Sequence, residues 1–181
     1  MGAFSAQKRE KLFQNFDPFI EGFGTTLYIV ILGLILSLIL GVIFGIFSTS
    51  HIKVLRGISR VYVEFFQNTP LLVQVFFLYN ALPYVGVFMP VKTIGILGVG
   101  IYHGAYMSEI VRTGIQAVPK GQEEAAASQG FGYLESMGYI ILPQALKVML
   151  PPLTNVAANL IKNTSILAVI AGGDLMYQAD S

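Results

Sequence analysis

The sequence has 181 residues, is 54% hydrophobic and only 12% charged, with a formal net charge of +1 and no cysteine. A soluble domain carries about 25% charged residues, so this composition excludes an ordinary water-facing surface. It also excludes disulfides, thiolate metal sites and cysteine nucleophiles, and the near-zero charge offers no bulk attraction to nucleic acid.

The first 22 residues mix Lys8, Arg9 and Lys11 with Glu10, Asp17 and Glu21, and no apolar run follows before residue 27. That pattern is not a signal peptide. Phe4, Phe13, Phe16, Phe19 and Phe23 suggest a short interfacial helix over residues 1–22. Residues 22–52, 65–91 and 93–108 hold no Asp, Glu, Lys or Arg, and over 148–173 the one such residue is Lys162. A helix needs about 20 apolar residues to cross roughly 30 Å of hydrocarbon. Four spans are therefore expected: Leu27–Phe47, 65–91, 93–111 and 153–173. The fold class is all-α integral membrane, one transmembrane domain over residues 1–181.

The second span carries Gln67, Asn68, Thr69, Pro70, Gln74, Tyr79 and Asn80. Polar groups in hydrocarbon need partners, so these face protein or a wet cavity. For Gln74 an interhelical hydrogen bond is as good a reading as a pathway role. Gly41–Gly45 and Gly100–Gly104 are small-xxx-small pairs that let helices approach closely, a structural signal. His51 and His103 are too far apart in sequence for a metal pair and read as interfacial or packed.

Between the third and fourth spans lies a polar segment, about residues 112–150. Pro119 suits a first helical turn, Glu123 and Glu124 suit the helix macrodipole, and Ala125, Ala126 and Ala127 are the best helix formers. Gly130 and Gly132 can end the helix in a left-handed cap, giving a helix over about 119–129. Apolar residues then recur at Leu134, Met137 and Ile141, Pro143 breaks the pattern or begins a new turn, and Pro151 and Pro152 precede the last span. Such a small-sided helix either docks on a partner, with a glutamate offered to an arginine, or rests on the protein's own surface.

Basic residues set orientation. Lys53, Arg56 and Arg60 follow the first span, and Arg112, Lys120 and Lys147 lie between the third and fourth. Four spans put both segments on one side, which we take as cytoplasmic, with the N-terminus outside. The G-x-x-x-x-G-K-[ST] phosphate loop is absent, so the chain does not bind ATP that way, and no serine has a nearby histidine and carboxylate, so no enzyme active site is expected.

The run Glu124-Ala125-Ala126, three residues, Gly130, nine residues, Ile140, one residue, Leu142-Pro143 resembles the EAA signature of ABC-transporter permeases at every fixed position. Residues 68–74, 105–122 and 160–165 resemble the histidine/glutamine-type, polar amino acid branch, and the likeness runs from about Gly24 to Asp180. The resemblance implies a type I importer half with a five-helix core. The sequence reaches Ser181 before a fifth span, so four of the five family helices are expected, without the last. It implies a bacterial inner-membrane protein whose partners are a second permease subunit (identical or sibling), a cytoplasmic ATPase holding ATP and Mg, and an external solute-binding protein, with lipid around it and no cofactor of its own. The ATPase-coupling residues carried over are Glu123, Glu124, Ala125, Ala126, Gly130, Leu142 and Pro143.

A substrate path near mid-membrane would use polar groups that hydrocarbon penalises: Gln74, Asn155, Asn159, Lys162, Asn163, Thr164 and Ser165. Lys162 costs about 2.5–3.5 kcal/mol at a helix centre unless solvated or paired, for which Glu109 is a candidate partner. Glu109 also stands three residues before Arg112, a spacing that pairs them on one helix. A free cation among amides and hydroxyls favours glutamine, glutamate or asparagine over arginine, lysine or histidinium. The alternatives are a permease of this kind for another solute such as methionine, or a carrier working without an ATPase.

Overall fold

The computed structural model describes residues 17–170, and among them every regular element is helical. Six helices follow in order: α1, Asp17–Thr49; α2, Lys53–Asn68; α3, Leu71–Val85; α4, Val91–Gln116; α5, Lys120–Ser128; and α6, Tyr133–Ile170. Of these, α1, α4 and α6 are long and apolar enough to cross a membrane, and α2 with α3 form one further span if the bent pair is counted as one. The chain thus carries three to four of the expected spans.

α1 and α4 form the heart of the fold, and glycine is the reason. A Cβ on Gly41 would stand 2.5 Å from the Met107 Cβ, and one on Gly45 would stand 2.5 Å from the Val111 Cβ. On α4, Gly100 meets Leu36 and Gly104 meets Leu40 and Tyr62. The two small-xxx-small pairs are therefore contact surfaces. In hydrocarbon, where no hydrophobic force pulls helices together, such close packing supplies the association energy. One core unites Ile29, Val75, Ile94, Val99, Leu160 and Leu167 across α1, α3, α4 and α6. A second, at the end that carries α5, joins Val111 and Ile115 of α4 to Ile141, Ala145 and Met149 of α6.

Several sequence expectations are corrected. Residues 65–91 are not one helix. The chain breaks after Asn68, where Thr69 is extended before Pro70, and α2 meets α3 at 98°. Proline disfavours a helical conformation in the residue before it, and Pro70 itself becomes the N-cap of α3. The freed carbonyls are not left bare: Gln74 Nε2 donates to Phe66 O at 3.1 Å and to Thr69 O at 2.9 Å. α1 begins at Asp17, so Phe19 and Phe23 belong to the spanning helix, whereas Phe4, Phe13 and Phe16 lie outside the described residues.

The long polar segment is also shorter than expected. α4 continues to Gln116 and α6 already begins at Tyr133, then runs through Pro143, Pro151 and Pro152 without a break. A π turn over Ser136–Ile141 ends two residues before Pro143, whose missing N–H would otherwise leave a gap in the ladder. Thr154 Oγ1 donates to Pro151 O at 2.6 Å. After Asn163 the helix tightens to 3-10 geometry as far as Ile170. Residues 171–173 of the expected last span lie outside the described residues.

Candidate coupling helix and polar faces

α5 is the short, capped helix expected at 119–129, one residue shorter at each end. Pro119 is its N-cap, and Glu123 lies in its first turn. Its C-terminus is closed by Gly130 in the left-handed conformation at φ +86°, with Gly130 N–H donating to Ala127 O at 3.0 Å and Phe131 N–H to Ala126 O at 3.1 Å. These are the two bonds of a Schellman cap. Gly132 does not share the left-handed role: at φ −72° it starts α6, with its N–H donating to Glu135 Oε2 at 2.8 Å.

Of the α5 side chains only Ala126 is buried, at 2% exposure. The helix packs on the π turn of α6. Gln144 Nε2 of α6 also reaches Gln122 Oε1 at 3.2 Å. Glu123, Glu124, Ala125 and Ala127 remain on the surface. Leu142 is half-buried against the second core and Pro143 is exposed beside it. The EAA residues are thus divided: Ala126 and Leu142 anchor inward, while the glutamates and two alanines present a small, acidic outer face. Beneath this platform is a cavity of about 520 Å³ lined by His51, Arg56, Gln116, Lys120, Glu123 and Ser136, among others.

The pathway candidates do not form one cluster. Asn155, Asn159 and Lys162 are exposed at i, i+4 and i+7, so they share one face of α6, with Ser165 exposed further along. Among the described residues Lys162 has no ion pair, and Ser165 Oγ donates to Lys162 O at 2.8 Å. The other three are engaged internally. Thr164 is buried with its hydroxyl on Ile161 O, and the Gln74 amide donor holds the α2–α3 bend. Asn163 Nδ2 lies 3.1 Å from His103 Nε2. Since His103 Nδ1 sits 2.8 Å from Val99 O, a carbonyl that can only accept, Nδ1 carries the proton and Nε2 accepts from Asn163. His103 is thereby a neutral, packed pin between α4 and α6, as a packed histidine should be.

Glu109 pairs with Arg112 and not with Lys162: Arg112 Nε donates to Glu109 Oε2 at 2.9 Å, and a second bond joins Nη2 to Oε1. Charge inventory alone misses a further polar line on α4. Tyr102, Tyr106, Glu109 and Thr113 follow at i, i+4, i+7 and i+11, and the two tyrosine hydroxyls lie 3.1 Å apart. The helical spacing of these four was the available signal. A cleft of about 730 Å³ lies between Glu109 and Arg112 of α4 and Lys53, Arg56, Arg60 and Glu64 of α2. No group of three or more potential metal ligands occurs among the described residues.

Known proteins place this architecture. The sequence profile of the binding-protein-dependent transport system inner membrane component matches residues 37–181. The chain belongs to this family. The chain is 46% identical over 169 residues to a Bacillus subtilis (strain 168) protein described as "Probable glutamine ABC transporter permease protein GlnM", a match covering 93% of this chain and 78% of that one. It is 38% identical to the "Probable glutamine ABC transporter permease protein GlnP" of the same organism, over 88% of this chain and 73% of the other. Among solved structures, an amino acid ABC transporter with histidines superposes with a TM-score of 0.86 at 37% identity, covering 94% of this chain and 80% of that chain. The MetNI methionine ABC transporter shares the fold, with a TM-score of 0.66 at 19% identity over 96% and 81% of the two chains. This family member is accordingly an amino-acid ABC transporter permease, a multi-pass protein of the inner membrane.

Proposed function

We propose that this permease forms half of the membrane path of an ATP-driven importer for glutamine-like amino acids, and that α5 receives the movement of a separate ATPase subunit. The observation carrying the coupling role is the divided face of α5, with Ala126 buried inward and Glu123, Glu124, Ala125 and Ala127 outward. An outer face with little bulk admits close approach, and its carboxylates suit an arginine on the partner. The cap at Gly130 and the packing on the π turn let the helix move as a rigid piece.

α6 supports a second permease subunit, identical or a sibling. Asn155, Asn159 and Lys162 lie exposed on one face of a helix that crosses the membrane, and lipid would penalise that face. A facing subunit and a water-filled path between the two would cover it. Lys162, unpaired among the described residues, then offers a cation to a substrate carboxylate, while Glu109 is occupied by Arg112. Glutamine, glutamate or asparagine would be favoured over a cationic amino acid, left beside a like charge. A binding protein would deliver the substrate from outside. The second reading is a basic solute, favoured by the solved relative described with histidines.

The test is reconstitution with the ATPase and binding protein, radiolabelled glutamine, and competing glutamate, histidine or arginine. Uptake that needs ATP, competes with glutamate and falls at least tenfold in Lys162→Ala is expected. Transport without ATP would overturn the importer, whereas strong arginine uptake indifferent to Lys162→Ala would overturn only the solute.

Orientation is tested separately, since the sequence has no native cysteine to give background labelling. Cysteines at Arg56 and Gln122 should react only from the cytoplasm, and one at Met89 only from outside. Labelling of Gln122→Cys in intact cells by an impermeant reagent would reverse the orientation and remove α5 from the ATPase.

A further inference from the structure

We infer that the cavity beneath α5 is a binding site for a phosphate oxyanion, inorganic or at the end of a small ester. The inference rests on neither the transported solute nor the ATPase.

The cavity of about 520 Å³ draws its lining from α1, α2, α4, α5 and α6. Ile115 and Ile141 of the second core form part of its wall. The polar groups around it differ in what they have left to offer. Ser48 and Thr49 spend their hydroxyl protons on Gly45 O and Ile46 O of their own helix, at 2.5 and 3.0 Å. Gln116 Oε1 accepts from Arg112 at 2.8 Å, so its amide NH2 is the end that remains. Arg56 uses one guanidinium nitrogen on the Ser50 and His51 carbonyls, at 2.8 and 3.3 Å, and keeps its other N–H groups. Lys120 has no ion pair among the described residues.

Ser136 is the group that points to a ligand. It is 4% exposed and lines the cavity. Its backbone N–H donates to Gly132 O at 2.9 Å, but its hydroxyl makes no hydrogen bond among the described residues. No fully enclosed side-chain oxygen lacks a partner there, so the Ser136 oxygen keeps a small accessible area, and the cavity is where that area opens. A buried hydroxyl without a partner is costly, and a bound oxyanion would take its proton.

The N-terminus of α5 adds to the same wall. Pro119 and Lys120 both line the cavity, and no side chain caps the helix at Pro119. The first N–H groups of a helix have no partner within it, and phosphate is a favoured occupant of such an end. Charge agrees in sign: Arg56 and Lys120 stand against Glu123, the one carboxylate in the lining, an excess of one cation with His51 neutral. Apart from Glu123, the groups left over are donors, and they come from separate helices. A phosphate turns oxygens to several of them at once, whereas a carboxylate has only two to offer. Occupied, the site would join α5 to α2 and α6 through one ion.

The experiment titrates inorganic phosphate into the purified full chain in dodecyl maltoside, a detergent without phosphate, and reads saturable line broadening by phosphorus NMR. Arg56 is left intact because it supports the α1–α2 turn. Lys120→Gln and Ser136→Ala should each weaken binding about tenfold, as loss of a hydrogen bond to a charged group does. Lys120→Arg should retain most of it, and Lys147→Gln, exposed on α6 and outside the cavity, should leave it unchanged. Glycerol phosphate should compete with the inorganic ion, and phosphatidic acid in the micelles should not; competition by the lipid would assign the same donors to a headgroup. The absence of saturable broadening, wild-type affinity in both Lys120→Gln and Ser136→Ala, or an equal loss in Lys147→Gln would overturn the site. Loss of phosphate binding once the ATPase is added would overturn the ligand, because a partner side chain would then fill the cavity.

Discussion

Gly45→Leu is expected to abolish a stable bundle. The new side chain would enter a space where a Cβ alone stands 2.5 Å from both Cβ and Cγ1 of Val111 and 3.0 Å from the Ser108 carbonyl oxygen. A rotamer change can move Val111 Cγ1, but neither its Cβ nor the carbonyl can follow without shifting α4. Overpacking of a core costs about 1–3 kcal/mol when neighbours can adjust, and here two helices must separate. Since α4 carries both cores, that separation would also disturb the contacts of α3 and α6. The expected outcome is loss of monodisperse protein in detergent or a large fall in the unfolding midpoint. Gly24→Ala on the same helix is the comparison. A Cβ there meets nothing within 4 Å, and alanine is a better helix former by about 1 kcal/mol, so that variant should be as stable as wild type or more so. A Gly45→Leu protein with a wild-type midpoint would show that α1 and α4 do not pack through this glycine.

The second large effect is expected at Gly130, and its physical cause differs. A Cβ at this position would meet no atom within 4 Å, so space is not the constraint; the left-handed φ of +86° is. A β-branched residue pays about 1–2 kcal/mol to adopt that conformation, and it would instead straighten the cap or unwind the last turn of α5. Gly130→Val should therefore insert and fold, hydrolyse ATP with its partner, and transport at least tenfold more slowly. Gly130→Asn should retain most transport, because asparagine visits the left-handed region readily. Equal transport by the valine variant would remove Gly130 from the coupling path. Equal loss in both variants would assign the glycine to something other than backbone geometry.

These two glycines show how legibility in the sequence depends on range. Gly130 could be read because a helix cap is a local matter: the alanine run, the glycine after it and the first-turn glutamates lie within a dozen residues. Glu109 with Arg112 was readable for the same reason, three residues apart on one helix. The charge-free runs identified α1 and α4 because hydrocarbon excludes charge whatever else the chain does.

The sequence by itself therefore determined the membrane class, the family signature, the short capped helix and the glycine pairs as contact surfaces. Tertiary structure decided what local rules leave open. Pro70 could have kinked a span or ended it; the 98° turn requires the Gln74 amide on two carbonyls and a core for Leu71 and Val75 to enter. Pro143, Pro151 and Pro152 could each have stopped α6, but a π turn over Ser136–Ile141 precedes the first of them and the helix runs on through all three. Asn163, a pathway candidate by sequence, finds a protein partner in His103, 60 positions away. A polar group in a membrane span must find a partner, and only the packing of the helices says whether that partner is protein, a second chain, lipid or the passing solute.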